Sequence, residues 1–162
     1  MVNETTIWNY LEEVPDPEVP VLSVIDLGIV RAVKVLSETE VEITITPTYS
    51  GCPAMDFIEK NIREVLSEKG IETIHVKTIL APAWTTDWMS EAGKEKLLAY
   101  GIAPPVNEVD KLVLFGDAPV VKCPQCHSEN TKMLSQFGST ACKALYQCTD
   151  CLEPFDYFKC LR

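Results

Sequence analysis

Six of the seven cysteines of this 162-residue chain fall after residue 122, and four of them form two CxxC pairs. Cys123-Pro124-Gln125-Cys126 and Cys148-Thr149-Asp150-Cys151 are 21 residues apart, slightly more than the spacing of about 15–20 typical of such sites. A segment this short cannot bury enough apolar surface to fold on its own core. Two thiolates at i and i+3 in a tight turn grip a cation from one side. A second such turn on a neighbouring hairpin completes a tetrahedral four-sulfur site, and the bound ion supplies the missing folding energy. Zinc is the favoured ion, because a closed thiolate site needs no redox chemistry. Iron in a rubredoxin-like site is second. Four reduced, unliganded cysteines would leave the segment almost without a fold. His127 reads as a surface residue, since four thiolates already fill the shell. Cys142 and Cys160 read as small, partly buried hydrophobes. A role as extra soft ligands is the less favoured alternative.

Charge separates this tail from the rest. Residues 1–121 hold 9 basic and 20 acidic side chains, net −11, whereas residues 122–162 hold 5 and 4, net +1. An acidic body repels phosphate backbones, which argues against nucleic acid as a partner. Apolar runs stop at four or five residues, such as Leu112-Val113-Leu114-Phe115, far short of the roughly 20 a membrane helix needs. Met1-Val2-Asn3-Glu4-Thr5-Thr6 lacks the basic head and apolar stretch of a secretory signal. The expectation is a cytoplasmic chain with no membrane role, in a compartment where clustered thiols bind metal more often than they pair.

The remaining pattern predicts a small α+β unit. Residues 3–14 read as a helix capped by Asn3, with Ile7, Leu11 and Val14 on one stripe. Pro15, Pro17 and Pro20 forbid helix over the next stretch. Residues 28–36 read as a strand, linked by Ser37-Glu38-Thr39 to a second in which Val41, Ile43 and Ile45 alternate with polar residues. A helix over 54–69, stopped by Gly70, precedes a third strand at 73–79. The order β-β-α-β gives a three-stranded sheet with packed helices. A further helix is predicted over 88–100, capped by Asp87 or Ser90, and a short strand over 111–115. The predicted domains are 1–105, a linker with a short strand over 106–121, and a ribbon over 122–162.

Cys52 stands alone in the body, where a loop enters the helix at 54. Aligned N–H dipoles there stabilise a thiolate, and Gly51 permits close backbone approach. Cys52 is therefore a candidate nucleophile or soft metal ligand, weighed evenly against an inert cap. Asp16 and Glu18, in the proline-rich loop, could hold a cation or help position a partner, but solvated carboxylates are the commoner case. Trp84 and Trp88 read first as core packing, with an exposed aromatic surface as the alternative. Glu72-Thr73-Ile74-His75 matches half of a di-iron motif, but it occurs once and inside a strand pattern. No histidine lies near Cys52 to serve as its base, which ranks an independent thiol enzyme last.

Asp16-Pro17-Glu18-Val19-Pro20, Val24-Ile25-Asp26-Leu27-Gly28, the loop ending Ser50-Gly51-Cys52-Pro53, and Trp84-Thr85-Thr86-Asp87-Trp88 together resemble the domain of iron–sulfur assembly factors of the SufT type. With Phe137-Gly138-Ser139-Thr140-Ala141-Cys142-Lys143 and Pro154-Phe155-Asp156-Tyr157-Phe158 added, nearly the whole chain is similar to the family of D proteins of phenylacetyl-CoA epoxidase systems. The resemblance implies an iron–sulfur-assembly-like body and a zinc ribbon. It also implies an accessory role in aerobic phenylacetate breakdown, not catalysis, with the oxygenase and reductase subunits as partners. Maturation of the [2Fe–2S] reductase is the implied task. The alternative is a non-catalytic interaction subunit of the complex. By the family pattern Cys52 handles transient iron or a cluster, and Asp16 and Glu18 belong to the signature loop. Cys123, Cys126, Cys148 and Cys151 match the ribbon ligands. One thiolate cannot saturate a cluster, so two copies could share one across a homodimer.

Overall fold

The computed structural model describes residues 1–49, 51–105, 120–138 and 140–158. The strand expected over 111–115 lies outside the described residues, as does Cys160. The chain divides into two units, Met1–Gly93 and Lys94–Arg162.

In the first unit α1, Glu4–Leu11, opens with the Asn3 side chain accepting the Thr6 N–H at 2.8 Å. A helix of two turns is unstable alone, so its fully buried Ile7 and Leu11 must hold it in place. It ends earlier than the predicted residue 14, because Val14 precedes Pro15 and is sterically steered out of helical space. Strands β1, Val30–Val35, and β2, Glu40–Ile45, form an antiparallel hairpin. Val41, Ile43 and Ile45 are sealed on one face of β2 while their neighbours stay half-exposed, as the alternation predicted. Helix α2, Ala54–Glu68, buries Ile58, Ile62 and Leu66 and carries the chain to β3, Thr73–Thr78, which runs parallel to β2. The sheet order is β1-β2-β3, with α1 and α2 packed together.

The predicted helix over 88–100 is divided. A 3-10 turn covers Thr86–Trp88, Met89 is extended, and α3 covers Glu91–Tyr100. Ser90 is the cap, its Oγ accepting the Gly93 N–H at 2.9 Å. The preceding segment is tied back to residues 26–28. Ser90 donates its N–H to the Asp26 carbonyl at 2.9 Å and its hydroxyl to the Asp26 carboxylate at 3.1 Å. Trp84 is buried, and its indole N–H donates to the Leu27 carbonyl at 2.8 Å. Trp88 is half-buried, with the Arg31 guanidinium 3.6 Å above its ring.

The second unit holds a four-stranded sheet in the order β4-β7-β6-β5. Here β4 is Ile102–Ala103, β5 Thr131–Ser135, β6 Lys143–Cys148 and β7 Pro154–Phe158. Strands β5, β6 and β7 are antiparallel, whereas β4 lies parallel to β7. Ala103, Val121, Tyr146, Phe155 and Tyr157 make its small apolar core with Cys123 and Cys148. The fold is thus α+β, with a cysteine-bearing ribbon in its C-terminal part.

Candidate functional site

The four paired cysteines come together in the second unit. Cys123 and Cys126 bracket a turn ahead of β5, Cys148 ends β6, and Cys151 lies in the turn leading to β7. Their four Sγ atoms all lie within 4.8 Å of one another. Cys123 to Cys151 is 3.6 Å and Cys126 to Cys148 is 3.5 Å. A tetrahedral ion with metal–sulfur bonds of about 2.3 Å needs sulfur–sulfur edges of roughly 3.8 Å, so the donor set fits one closed metal site. Such an ion would cross-link the two turns and serve structure.

Both turns have the same build. Cys123 N–H donates to the Ser128 carbonyl at 2.9 Å, and Cys148 N–H donates to the Glu153 carbonyl at 3.0 Å. The residue after each second cysteine is left-handed, His127 at φ 62° and Leu152 at φ 67°. Non-glycine residues adopt that backbone at a cost, which the paired turn geometry imposes. Nothing in the identities of His127 and Leu152 announced it. His127 is exposed and lies outside the sulfur cluster. Asp150 joins the two turns, accepting the Ser128 hydroxyl and the Asn130 amide, and these bonds hold its carboxyl below the usual range. The Cys151 N–H donates to Cys148 Sγ at 3.5 Å, and this bond is the main cause drawing the Cys148 thiol down to about 7. At Cys151 the Glu153 N–H pulls the other way, but desolvation and the neighbouring sulfurs keep its thiol up at about 12. Cys142 is buried, with Thr140 Oγ1 3.1 Å from its sulfur.

Cys52 lies in the first unit and is half-buried. Its N–H donates to the Tyr49 carbonyl, and its own carbonyl accepts the Met55 N–H, both at 3.3 Å. Cys52 therefore sits immediately ahead of α2, next to Pro53 at the helix cap position. Gly51 before it has φ +78°, so a glycine is needed there for conformation, with open space around it. The same loop leaves β2 through Thr46, whose buried Oγ1 is the one buried side-chain polar atom without a hydrogen bond among the described residues. Sequence reading missed Thr46, because a threonine after a strand carries no mark of being unpaired.

Asp16 is buried. Its Oδ1 accepts the N–H groups of Glu18 at 2.9 Å and Val19 at 2.8 Å, while Glu18 is half-buried. Asp16 thus fixes the proline-rich turn and does not stand solvated. Among the described residues, Cys52, Asp16 and Glu18 do not converge into a group of three ligands; the four-cysteine cluster is the one group that does.

Residues 4–80 match the family described as iron-sulfur cluster assembly protein, and residues 107–159 match the PaaD zinc beta ribbon domain. The chain is 50% identical over 155 residues to the D component of the putative 1,2-phenylacetyl-CoA epoxidase of Escherichia coli strain K12, spanning 96% of this chain and 92% of that protein. The chain belongs to the PaaD family. It is also 40% identical over 89 residues to an Fe-S protein maturation auxiliary factor of Porphyromonas gingivalis, covering 54% of this chain and 84% of that one. A solved domain of unknown function from Bacillus anthracis shares the fold at a TM-score of 0.55 and 31% identity, over 58% of this chain and 90% of that one. PaaD-family membership accounts for both halves at once. It ties the four-cysteine cluster to a zinc-ribbon module and the Cys52 unit to an iron–sulfur assembly domain. No helix among the described residues is long and apolar enough to cross a membrane.

Proposed function

We propose that this chain is a cytoplasmic, non-catalytic maturation protein of a phenylacetyl-CoA epoxidase system. In this reading Cys52 takes up iron or a labile iron–sulfur cluster as cargo and passes it to the [2Fe–2S] reductase subunit. The observation that carries the reading is half-buried Cys52 immediately ahead of α2, in a different unit from the four clustered cysteines. The kinship to an Fe-S maturation factor supports it. A single sulfur fills one coordination position, so a second molecule supplies the remaining ligands. Asp16 and Glu18, in the family's signature loop, are the further candidates for contact with the cargo. Cys123, Cys126, Cys148 and Cys151 hold one structural zinc and take no part in transfer.

Anaerobic purification with metal and sulfide analysis tests this on wild type and Cys52→Ser. About one zinc per chain is expected in both proteins. Iron, sulfide and the ability to load the reductase should be present in wild type and lost in the variant. Reductase loading that survives Cys52→Ser removes Cys52 from the mechanism.

A further inference from the structure

We propose that the end of the first sheet around Cys52 is a docking face for a partner protein that presents an apolar pocket rimmed by basic side chains. Phe57 and Leu80 are its anchors. This deepens the maturation reading and rests on it for the purpose of the face.

Three elements bring the anchors to the Cys52 end. The Ile79 N–H donates to the Ile45 carbonyl at 2.9 Å, so Leu80 leaves β3 beside Thr46, where the loop to Cys52 begins. Helix α2 starts at that same end, and Phe57 lies one turn past Pro53. Helical side chains lean back toward the N-terminus, which keeps Phe57 toward the end of α2 where Cys52 lies. Phe57 and Leu80 are each 62% exposed. Within Met1–Gly93 the other exposed large apolar side chains are Met1 and Leu36, and Leu36 lies in the β1–β2 hairpin at the opposite end of the sheet. Single exposed hydrophobes are ordinary; two of them at the end of the sheet that holds half-buried Cys52 are what mark the face.

Charge selects the occupant. Residues 1–93 hold 16 acidic and 6 basic side chains, net −10, so a second copy meeting this unit face to face is repelled. On α2 the cations are already taken up, Lys60 by Glu64 at 3.7 Å and Arg63 by Glu59 at 2.8 Å, while Asp56 lies next to Phe57. A surface with Lys and Arg around an apolar pocket is attracted instead, and it would bring the other ligands to the cargo.

The test measures binding of the full chain to the purified reductase and oxygenase components of the same system. It is done without iron or sulfide, so its outcome does not depend on what Cys52 carries. One component should bind, more weakly as salt rises. The double variant Phe57→Ser/Leu80→Ser should lose at least about tenfold in affinity. The control Leu36→Ser should match wild type, and Phe57→Leu should recover most of the binding. All the replaced side chains are more than half exposed, and unchanged melting confirms that each variant folds. Undiminished binding by the double variant overturns the proposal, as does failure of both components to bind wild type. A concentration-dependent dimer that Phe57→Ser dissolves also overturns it, by making a second copy the occupant.

Discussion

The Oδ1 atom of Asp16, itself buried, accepts the backbone N–H groups of half-buried Glu18 and buried Val19. Removing that acceptor leaves buried donors unmet, so Asp16→Ala should cost about 1–3 kcal/mol in thermal or urea unfolding. Asp16→Asn, which keeps an acceptor oxygen, should cost less. Thr46 is the opposite case. Its hydroxyl is buried without a partner, and Thr46→Val should raise stability by about 1 kcal/mol on the same measurement. A fall in stability would mean the hydroxyl has a bound partner in solution. Sequence alone weighed Asp16 between a solvated side chain and a cation ligand. Its real employment depends on how the chain turns between Pro15 and Val19, which residue types do not fix. Cys52 was more legible, because a cysteine followed by proline at a helix start constrains its own surroundings.

At the scale of elements, residues 26–28 pack closely against residues 84–90. Gly28 has φ +71°, and a Cβ there would lie 2.3 Å from the Trp88 carbonyl oxygen. Neither the backbone angle nor the space admits a side chain. Gly28→Ala should therefore destabilise the unit by about 3 kcal/mol or more, seen as a lowered melting temperature. A near-neutral result would show that the Trp84–Trp88 segment is free to move away. Strands and α2 were readable because period-2 and period-3.6 burial is written into Val41, Ile43 and Ile45, and into Ile58, Ile62 and Leu66. The break after Trp88 was not. Asp87 and Ser90 are equally good caps by type, and the choice falls to Ser90 because Asp26, distant in sequence, receives its N–H and hydroxyl.

Across the whole molecule, stability has two sources. The first unit relies on a packed core, and the second on a small core plus a metal cross-link. A strong chelator should therefore melt the second unit alone, giving two separate transitions by circular dichroism where the loaded protein keeps both units folded. Acid should do the same through the thiols. Cys148 is lowered from 9.0 to about 7 by the Cys151 N–H, so its thiolate contribution is whole above the ordinary thiol range and is lost as pH falls through about 7, whereas Cys151, held up at about 12, gives up its proton to the metal. Metal retention, followed with a zinc-sensitive dye, should hold at neutral and alkaline pH and fail on acidification. Release that instead grew with rising pH would contradict a thiolate site. The paired CxxC spacing predicts the four-sulfur cluster that forms, yet the sheet that carries it is completed by Ile102–Ala103, which run alongside β7 from well upstream of the first cysteine pair. The ribbon is consequently not a cassette that can be grafted from Cys123 onward: a transplant lacking those two residues would carry a bare flank along β7, open to pairing with whatever strand it met first.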